Sequence, residues 1–274
     1  MSLSELVIFT VALVFGILGT TWATRKFDLR RENFRKERIP AVAGLVLVIA
    51  GVFFYTVEWM TQGIHVATAA TYFLVTFAFG TLGMLDDVNG DRSVGGFRGH
   101  IGALMKGKLT TGLGKMIGGA GVSLVAGFLL FNPLLWRALL AAVLIALTAN
   151  TLNLLDLRPG RCLFGFFLGA IAVVSTLAFQ HQLNVGFLFY FAVAIAAILY
   201  PLDALGAVML GDTGSNCFGA ILGVAMALFF NWPVQLALVI GMAIFQIWCE
   251  RNSWSRTIEG NTVLKAIDTK IGVR

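Results

Sequence analysis

The chain has 274 residues, of which 58% are hydrophobic and only 12% charged, against about 25% charged in an ordinary soluble domain. That excludes a soluble globular fold, and unbroken apolar runs of bilayer-crossing length exclude a closed barrel, whose strands would alternate in short segments. The net charge of +6 reads as loop charge that sets topology and meets anionic lipid or phosphate, not as a nucleic-acid surface. At about 30 residues per span and loop, the length predicts about nine helices.

In chain order, residues 3–24 form the first predicted helix. No basic segment precedes it and no clear small-residue cleavage site follows, so it is read as a retained helix and not as a signal peptide. A basic loop follows with Arg25, Lys26, Arg30, Arg31, Arg35, Lys36 and Arg38, closed by Pro40. The second helix spans 41–60, and the link 61–65 has no Lys or Arg. The third spans 66–85 and runs directly into Asp86-Asp87. A polar, glycine-rich loop reaches Gly114, and the fourth helix covers 115–131. Asn132-Pro133 is a turn. The fifth helix spans 134–152, and a short loop with Asn153, Asp156, Arg158 and Arg161 leads to the sixth, 162–179. Residues 181–186 link to the seventh, 187–202. The next loop holds Asp203 and Gly211-Asp212-Thr213-Gly214-Ser215-Asn216. The eighth helix spans 217–230, Asn231-Trp232-Pro233 turns the chain, and the ninth spans 234–248. In the polar tail 250–274, Val263, Leu264, Ile267 and Ile271 share one stripe, which predicts an amphipathic helix lying on the membrane. The expected fold class is all-α, a polytopic membrane helical bundle of about nine transmembrane helices, with one membrane-embedded domain over 1–274 that includes this tail.

Alternate loops, starting with 25–38, carry seven, five, two, no and five Lys or Arg residues; the opposite set carries only Arg137. The positive-inside rule puts the basic set in the cytoplasm, the N-terminus outside and the C-terminus inside. Asp86-Asp87, Asn153, Asp156, Asp203 and Asp212 then all fall on the cytoplasmic side, so the chemistry is expected there.

Asp86-Asp87, Asp156 and Asp212 each sit at or just past the cytoplasmic end of a different helix. If those helices are neighbours, four carboxylates converge and attract a divalent cation. Mg²⁺ fits, because it takes hard oxygen ligands and is usually held by one or two carboxylates plus substrate phosphates. Charged groups at membrane depth are a functional-site hypothesis by default; the bland alternative is that each acid only solvates a helix end. Gly211 to Asn216 precedes a helix, whose N-terminus offers free N–H groups to phosphate, or Asp212 is a simple cap. Thr110-Thr-Gly-Leu-Gly-Lys115 also opens a helix but lacks the Walker A frame. A lysine at a helix start opposes the dipole, so Lys115 calls for an anionic partner. Arg158 and Arg161 suit diphosphate recognition, or else anchor topology. Asn150, Asn153 and Asp156 share one helix face, which lines a cavity or bonds another helix. His100 reads as a solvated loop histidine. Cys162, Cys217 and Cys249 have no metal-ligand spacing and read as small core residues.

Leu85-Asp86-Asp87, Thr110-Thr111-Gly112 with Lys115, Asn150-x-x-Asn153-Leu-x-Asp156 and Met209-Leu-Gly211-Asp212-Thr-Gly-Ser215 occur in the order seen in the polyprenyl-phosphate N-acetylhexosamine-1-phosphate transferases. The chain resembles that superfamily from about residue 40 to residue 219. The superfamily includes the phospho-N-acetylmuramoyl-pentapeptide transferases of peptidoglycan synthesis and the N-acetylglucosamine-1-phosphate transferases of other envelope polymers. The resemblance implies a Mg²⁺-dependent enzyme of the bacterial inner (plasma) membrane with a cytoplasmic active site. It would move a sugar-1-phosphate from a UDP-sugar to undecaprenyl phosphate and release UMP. Asp212, with Asp87, would bind the metal. Asp86 and Asp87 would handle the lipid phosphate, and Asp86, Asp87 and Asp212 form the expected catalytic set. Lys115, Asn150, Asn153, Asp156, Arg158 and Arg161 would bind substrate. A homodimer is a family expectation.

The sequence departs from the family on the donor side. The tail Glu250-Arg-Asn-Ser-Trp-Ser-Arg-Thr has no histidine, where members carry a histidine-rich motif. Leu157-Arg158-Pro-Gly-Arg161 stands where Asp-Gly is common, and Asp203 lies near the usual Asn-x-x-Pro. These differences point away from the pentapeptide-sugar donor. Two rival readings are a non-catalytic paralogue that binds polyprenyl phosphate or nucleotide sugar, and a transporter with acidic gates. Retention of the four acids speaks against the first. The second would call for mid-membrane ionisable groups and similar halves, and the sequence has neither.

Overall fold

The structure, a computed structural model, describes residues 3–62, 66–89 and 110–273. Nine apolar helices follow one another through the described residues: α1 (Leu3–Lys26), α2 (Leu45–Gln62), α3 (Val66–Asn89), α4 (Thr111–Phe131), α5 (Leu135–Leu155), α6 (Arg161–Phe179), α7 (Phe187–Ala204), α8 (Gly211–Phe229) and α9 (Trp232–Cys249). Eight are long and apolar enough to cross a membrane, counting the 3₁₀ turn Leu183–Gly186 with α7, and α2 is the shorter ninth. The chain is a multi-pass helical membrane bundle.

Helix α8 is the centre of the bundle. It packs most extensively against α5 and α3, and also touches α2, α6, α7 and α9. Its most apolar window is 83% buried within the protein, against 22% for α1 and 6% for α9, although it is the least hydropathic of the eight. Sequence explains both properties. Gly214, Gly219 and Gly223, with Ala220 and Ala225, let neighbouring backbones approach, as small residues do between membrane helices. A helix enclosed by protein can also carry Asp212, Thr213 and Ser215, because other helices supply their partners, while Asn216 donates to the Asp212 carbonyl of its own helix. The outer helices α1 and α9 present Leu, Val and Ile to lipid instead.

Two features outside the spans bear on the site. The basic segment after α1, for which the sequence predicts only a loop, forms a hairpin of β1 (Arg30–Glu32) and β2 (Arg38–Pro40). Asn33 makes its turn by accepting from the N–H groups of Arg35 and Glu37 at 2.8 and 3.0 Å. From this hairpin, residues 40–44 run beside 209–210: Met209 N donates to Pro40 O and Ala43 N to Met209 O. That pairing fixes the start of α8. The tail folds into α10 (Trp254–Gly260) and α11 (Thr262–Ile271), capped by Ser253 and Asn261. The amphipathic helix expected there is present. Asp268 faces the protein and is buried, while Val263 and Ile267 are exposed. Cys162 and Cys217 are buried free thiols and Cys249 is partly buried.

Candidate functional site

Helices α3 and α8 meet at the sequence pairs that carry the motifs. A Cβ at Gly83 would run into the Asp212 carbonyl, so only glycine lets α3 lie on the first turn of α8. One turn further, Asp87 accepts from the backbone N–H of Asp212 (2.9 Å) through Oδ1. Through Oδ2 it accepts from the N–H (2.9 Å) and hydroxyl (2.6 Å) of Thr213. Asp87 therefore caps α8 from another helix and satisfies donors that a helix start leaves open. Gly211 makes this possible with φ of +70°; a side chain there would sit 2.6 Å from Asp87 Oδ2 and from the Ala41 carbonyl. Two expectations are corrected here. Gly211–Asn216 is helix and not loop, and Asp212 is not the cap but lies inside the first turn, with its side chain not used for capping. The Asp212 and Thr213 N–H groups expected to meet phosphate are already taken by Asp87.

Lys115 joins the next two acids. Its helix α4 begins at Thr111, capped by Thr110, whose hydroxyl accepts from Leu113 N at 3.2 Å. Lys115 consequently lies one turn inside the helix. Its Nζ donates to Asp86 Oδ2 at 3.1 Å and contacts Asp212 Oδ2. Thr111 Oγ1 donates to Asp86 Oδ1 at 2.7 Å. The lysine thus has the anionic partners its position near the helix start calls for. Its side chain is 16% exposed, and those of Asp86 and Asp212 are 19% and 31%, so these charges meet in a poorly solvated place where they interact strongly.

The polar stripe of α5 closes the other side. Asn150 donates to Gln246 of α9 at 2.7 Å. Asn153 Oδ1 accepts from Ser215 Oγ of α8 at 2.8 Å. Asp156 follows as the residue after α5. All three, with Asp86, Asp87, Lys115, Arg158 and Asp212, line one cavity of about 1600 Å³. Among the described residues no hydrogen bond or ion pair ties down the Asp156 carboxyl. Burial pushes its ionisation well above the usual carboxylate range, and the charges of Asp203, Asp212 and Asp87 push it further. Gln246 is a site residue that the sequence reading lacks, although a glutamine inside an apolar membrane helix is the signal that marks it. It also donates to Leu147 O and Thr151 Oγ1.

The structure separates the two arginines. Arg158 is half-exposed at the cavity, 3.8 Å from Glu259. Arg161, expected beside it, is not among the cavity's lining residues. Its guanidinium is buried and donates to Asp268 through Nε (2.6 Å) and Nη2 (2.8 Å), and to Ser255 Oγ through Nη1 (3.0 Å). Those three donors are committed to the tail. Asp203 belongs to the end of α7 and accepts from Gly160 N at 2.9 Å. His100 lies outside the described residues.

No family model matches the chain. Two curated proteins are similar to it, and both are named phospho-N-acetylmuramoyl-pentapeptide-transferase. The one from Frankia alni is 27% identical over 86% of this chain and 78% of its own length. The one from Frankia casuarinae is 27% identical over 60% of this chain and 54% of its own length. Together they support an enzyme of the phospho-sugar transferase kind. The chain is a distant relative of the polyprenyl-phosphate sugar-phosphate transferases.

Proposed function

We propose that the protein transfers an N-acetylhexosamine-1-phosphate from a UDP-sugar to polyprenyl phosphate on the cytoplasmic face of the bacterial plasma membrane. UMP is released, and the product enters cell-envelope glycopolymer synthesis. The observation that carries this reading is the convergence of Asp86, Asp87, Lys115, Asn153, Asp156 and Asp212, from helices α3, α4, α5 and α8 and the loop after α5, on one cavity. In the net reaction, a lipid-phosphate oxygen forms a bond to the sugar-bearing phosphorus, and the bond from that phosphorus to the UMP phosphate breaks. Both reactants are anionic, so the site must neutralise charge and align them.

Lys115 is assigned to phosphate, with Asp86 and Thr111 aiming its ammonium. Asp212 is the principal candidate for a metal ligand, because its side chain is not used for capping. Asp87 has spent three of about four acceptor positions on α8, so it offers at most one more contact and acts mainly to place Asp212. Asn150, Asn153, Asp156 and Arg158 line the wall assigned to the nucleotide sugar. Mg²⁺ fits this donor set. The acids are hard oxygen donors, and among the described residues no three acids, histidines or cysteines are grouped into a metal cage. One or two carboxylates completed by substrate phosphates is the arrangement Mg²⁺ prefers. Such an ion would supply Lewis-acid neutralisation of the diphosphate.

The test is purified protein with Mg²⁺, undecaprenyl phosphate and a panel of UDP-sugars, scored for UMP release. UDP-N-acetylglucosamine, UDP-N-acetylgalactosamine and the pentapeptide-bearing UDP-N-acetylmuramic acid belong in the panel. UMP released with one of the first two, dependent on the lipid, supports the reading. UMP released with none of them overturns it in favour of a binding protein.

A further inference from the structure

We propose that a second crevice, between α1, α2 and α7, binds the phosphate headgroup of an anionic phospholipid. The crevice has a volume of about 310 Å³ and lies at the end of the bundle where α1 and α7 finish and α2 begins. Its inner walls are apolar, with Val46, Ile198 and Leu202 among them, and Ile17, Ile198 and Leu202 are themselves well exposed, so it opens sideways toward lipid. Arg25 and Arg30 line its polar end. Both are exposed, and neither has a carboxylate partner among the described residues, whereas Arg38 of the same hairpin is paired with Asp28 at 2.8 Å. An apolar wall ending in two uncommitted guanidinium groups matches a lipid phosphate with its chains.

A second observation is independent of charge. Thr20 and Thr24, one turn apart on α1, line the crevice, are 7% and 5% exposed, and have hydroxyls with no hydrogen-bond partner among the described residues. Thr10 and Thr21 of the same helix behave differently. Their hydroxyls donate to the carbonyls four residues earlier, Leu6 O and Ile17 O, at 2.8 and 2.7 Å. A buried hydroxyl without a partner is costly at membrane depth. Phosphate or ester oxygens of a lipid would supply the acceptors. The height is also right. Trp22, 57% exposed, lies between the two threonines in sequence with the Lys26 ammonium 4.7 Å from its ring centre, as aromatic and basic residues sit at the headgroup level.

The test is native mass spectrometry of the purified protein titrated with phosphatidylglycerol or phosphatidylcholine. Wild type is expected to bind phosphatidylglycerol more tightly. Arg25→Gln/Arg30→Gln should weaken that binding about tenfold or more, the effect of two basic groups at an anionic headgroup. Thr20→Val/Thr24→Val, which keeps every charge, should weaken it about threefold, a loss of hydrogen-bond size. Arg35→Gln/Lys36→Gln removes the same charge elsewhere on the hairpin and should leave it within about twofold, as screened surface charge does. Melting temperatures close to wild type establish that the variants are folded. Equal affinity for phosphatidylcholine, equal losses in the two charge-removal pairs, or displacement of the lipid by equimolar inorganic phosphate would each overturn the proposal. So would unchanged phosphatidylglycerol binding in both crevice variants.

Discussion

Lys115 holds its ammonium against both Asp86 and Asp212 with little of its side chain exposed. Two carboxylates brought that close need a cation between them. Lys115→Met removes it without changing the length of the side chain much, which gives two opposite expectations. Turnover should fall about a hundredfold or more, the usual cost of deleting one preorganised charge contact. At the same time the Mg²⁺ concentration that half-stabilises the protein against heat should drop, because the ammonium no longer competes for Asp212. Thermal shift against Mg²⁺ reads the second effect without any turnover, and a midpoint that stayed put or rose would contradict the Asp212 assignment. At this scale the sequence is informative about which residues matter and silent about what each does. Adjacent acids at a helix end flag Asp86 and Asp87. That one holds Lys115, 29 residues away, while the other caps α8, 125 residues away, depends on how the helices pack.

At the scale of elements, helix centres were legible from apolar runs and helix ends were not. Helix α8 begins six residues before its expected start because Gly211 to Asn216 looks like a turn by composition. The cap that makes it helical comes from Asp87, which no local rule contains. The tail shows the same limit. Its apolar stripe predicts an amphipathic helix but says nothing of Asp268, which α11 turns inward to Arg161, whose guanidinium is 5% exposed. Further bonds hold the tail down: Tyr200 Oη donates to Ile271 O at 3.0 Å, and Val273 N to Ala204 O at 2.8 Å. Removing one member of a buried ion pair costs about 3–5 kcal/mol, whereas replacing both with apolar groups is often neutral. Arg161→Met is accordingly expected to lower the melting temperature and expose Lys265 and Lys270 to trypsin. The double variant Arg161→Met/Asp268→Leu should recover most of the loss. If the double were as unstable as the single, the ion pair would not be what holds the tail.

For the whole molecule, the bundle places every charged group of the cavity at one end, the end that also carries the β1–β2 hairpin with its cluster of basic residues. The basic residues alternate between loops as the positive-inside rule requires for that end to face the cytoplasm. The proposed reaction depends on this orientation, because a UDP-sugar donor would come from the cytoplasm. Two exposed positions at opposite ends give the test: Arg35 in the hairpin and Gln182 between α6 and α7. In a Cys249→Ser background the remaining cysteines, Cys162 and Cys217, are buried. With a membrane-impermeant maleimide on intact cells, Gln182→Cys should label. Arg35→Cys should label only after the membrane is opened. The reverse pattern would put the acids on the outer face, away from any nucleotide sugar, and the proposed transferase reaction would fail with it, while the lipid crevice beside Arg25 and Arg30 would stand.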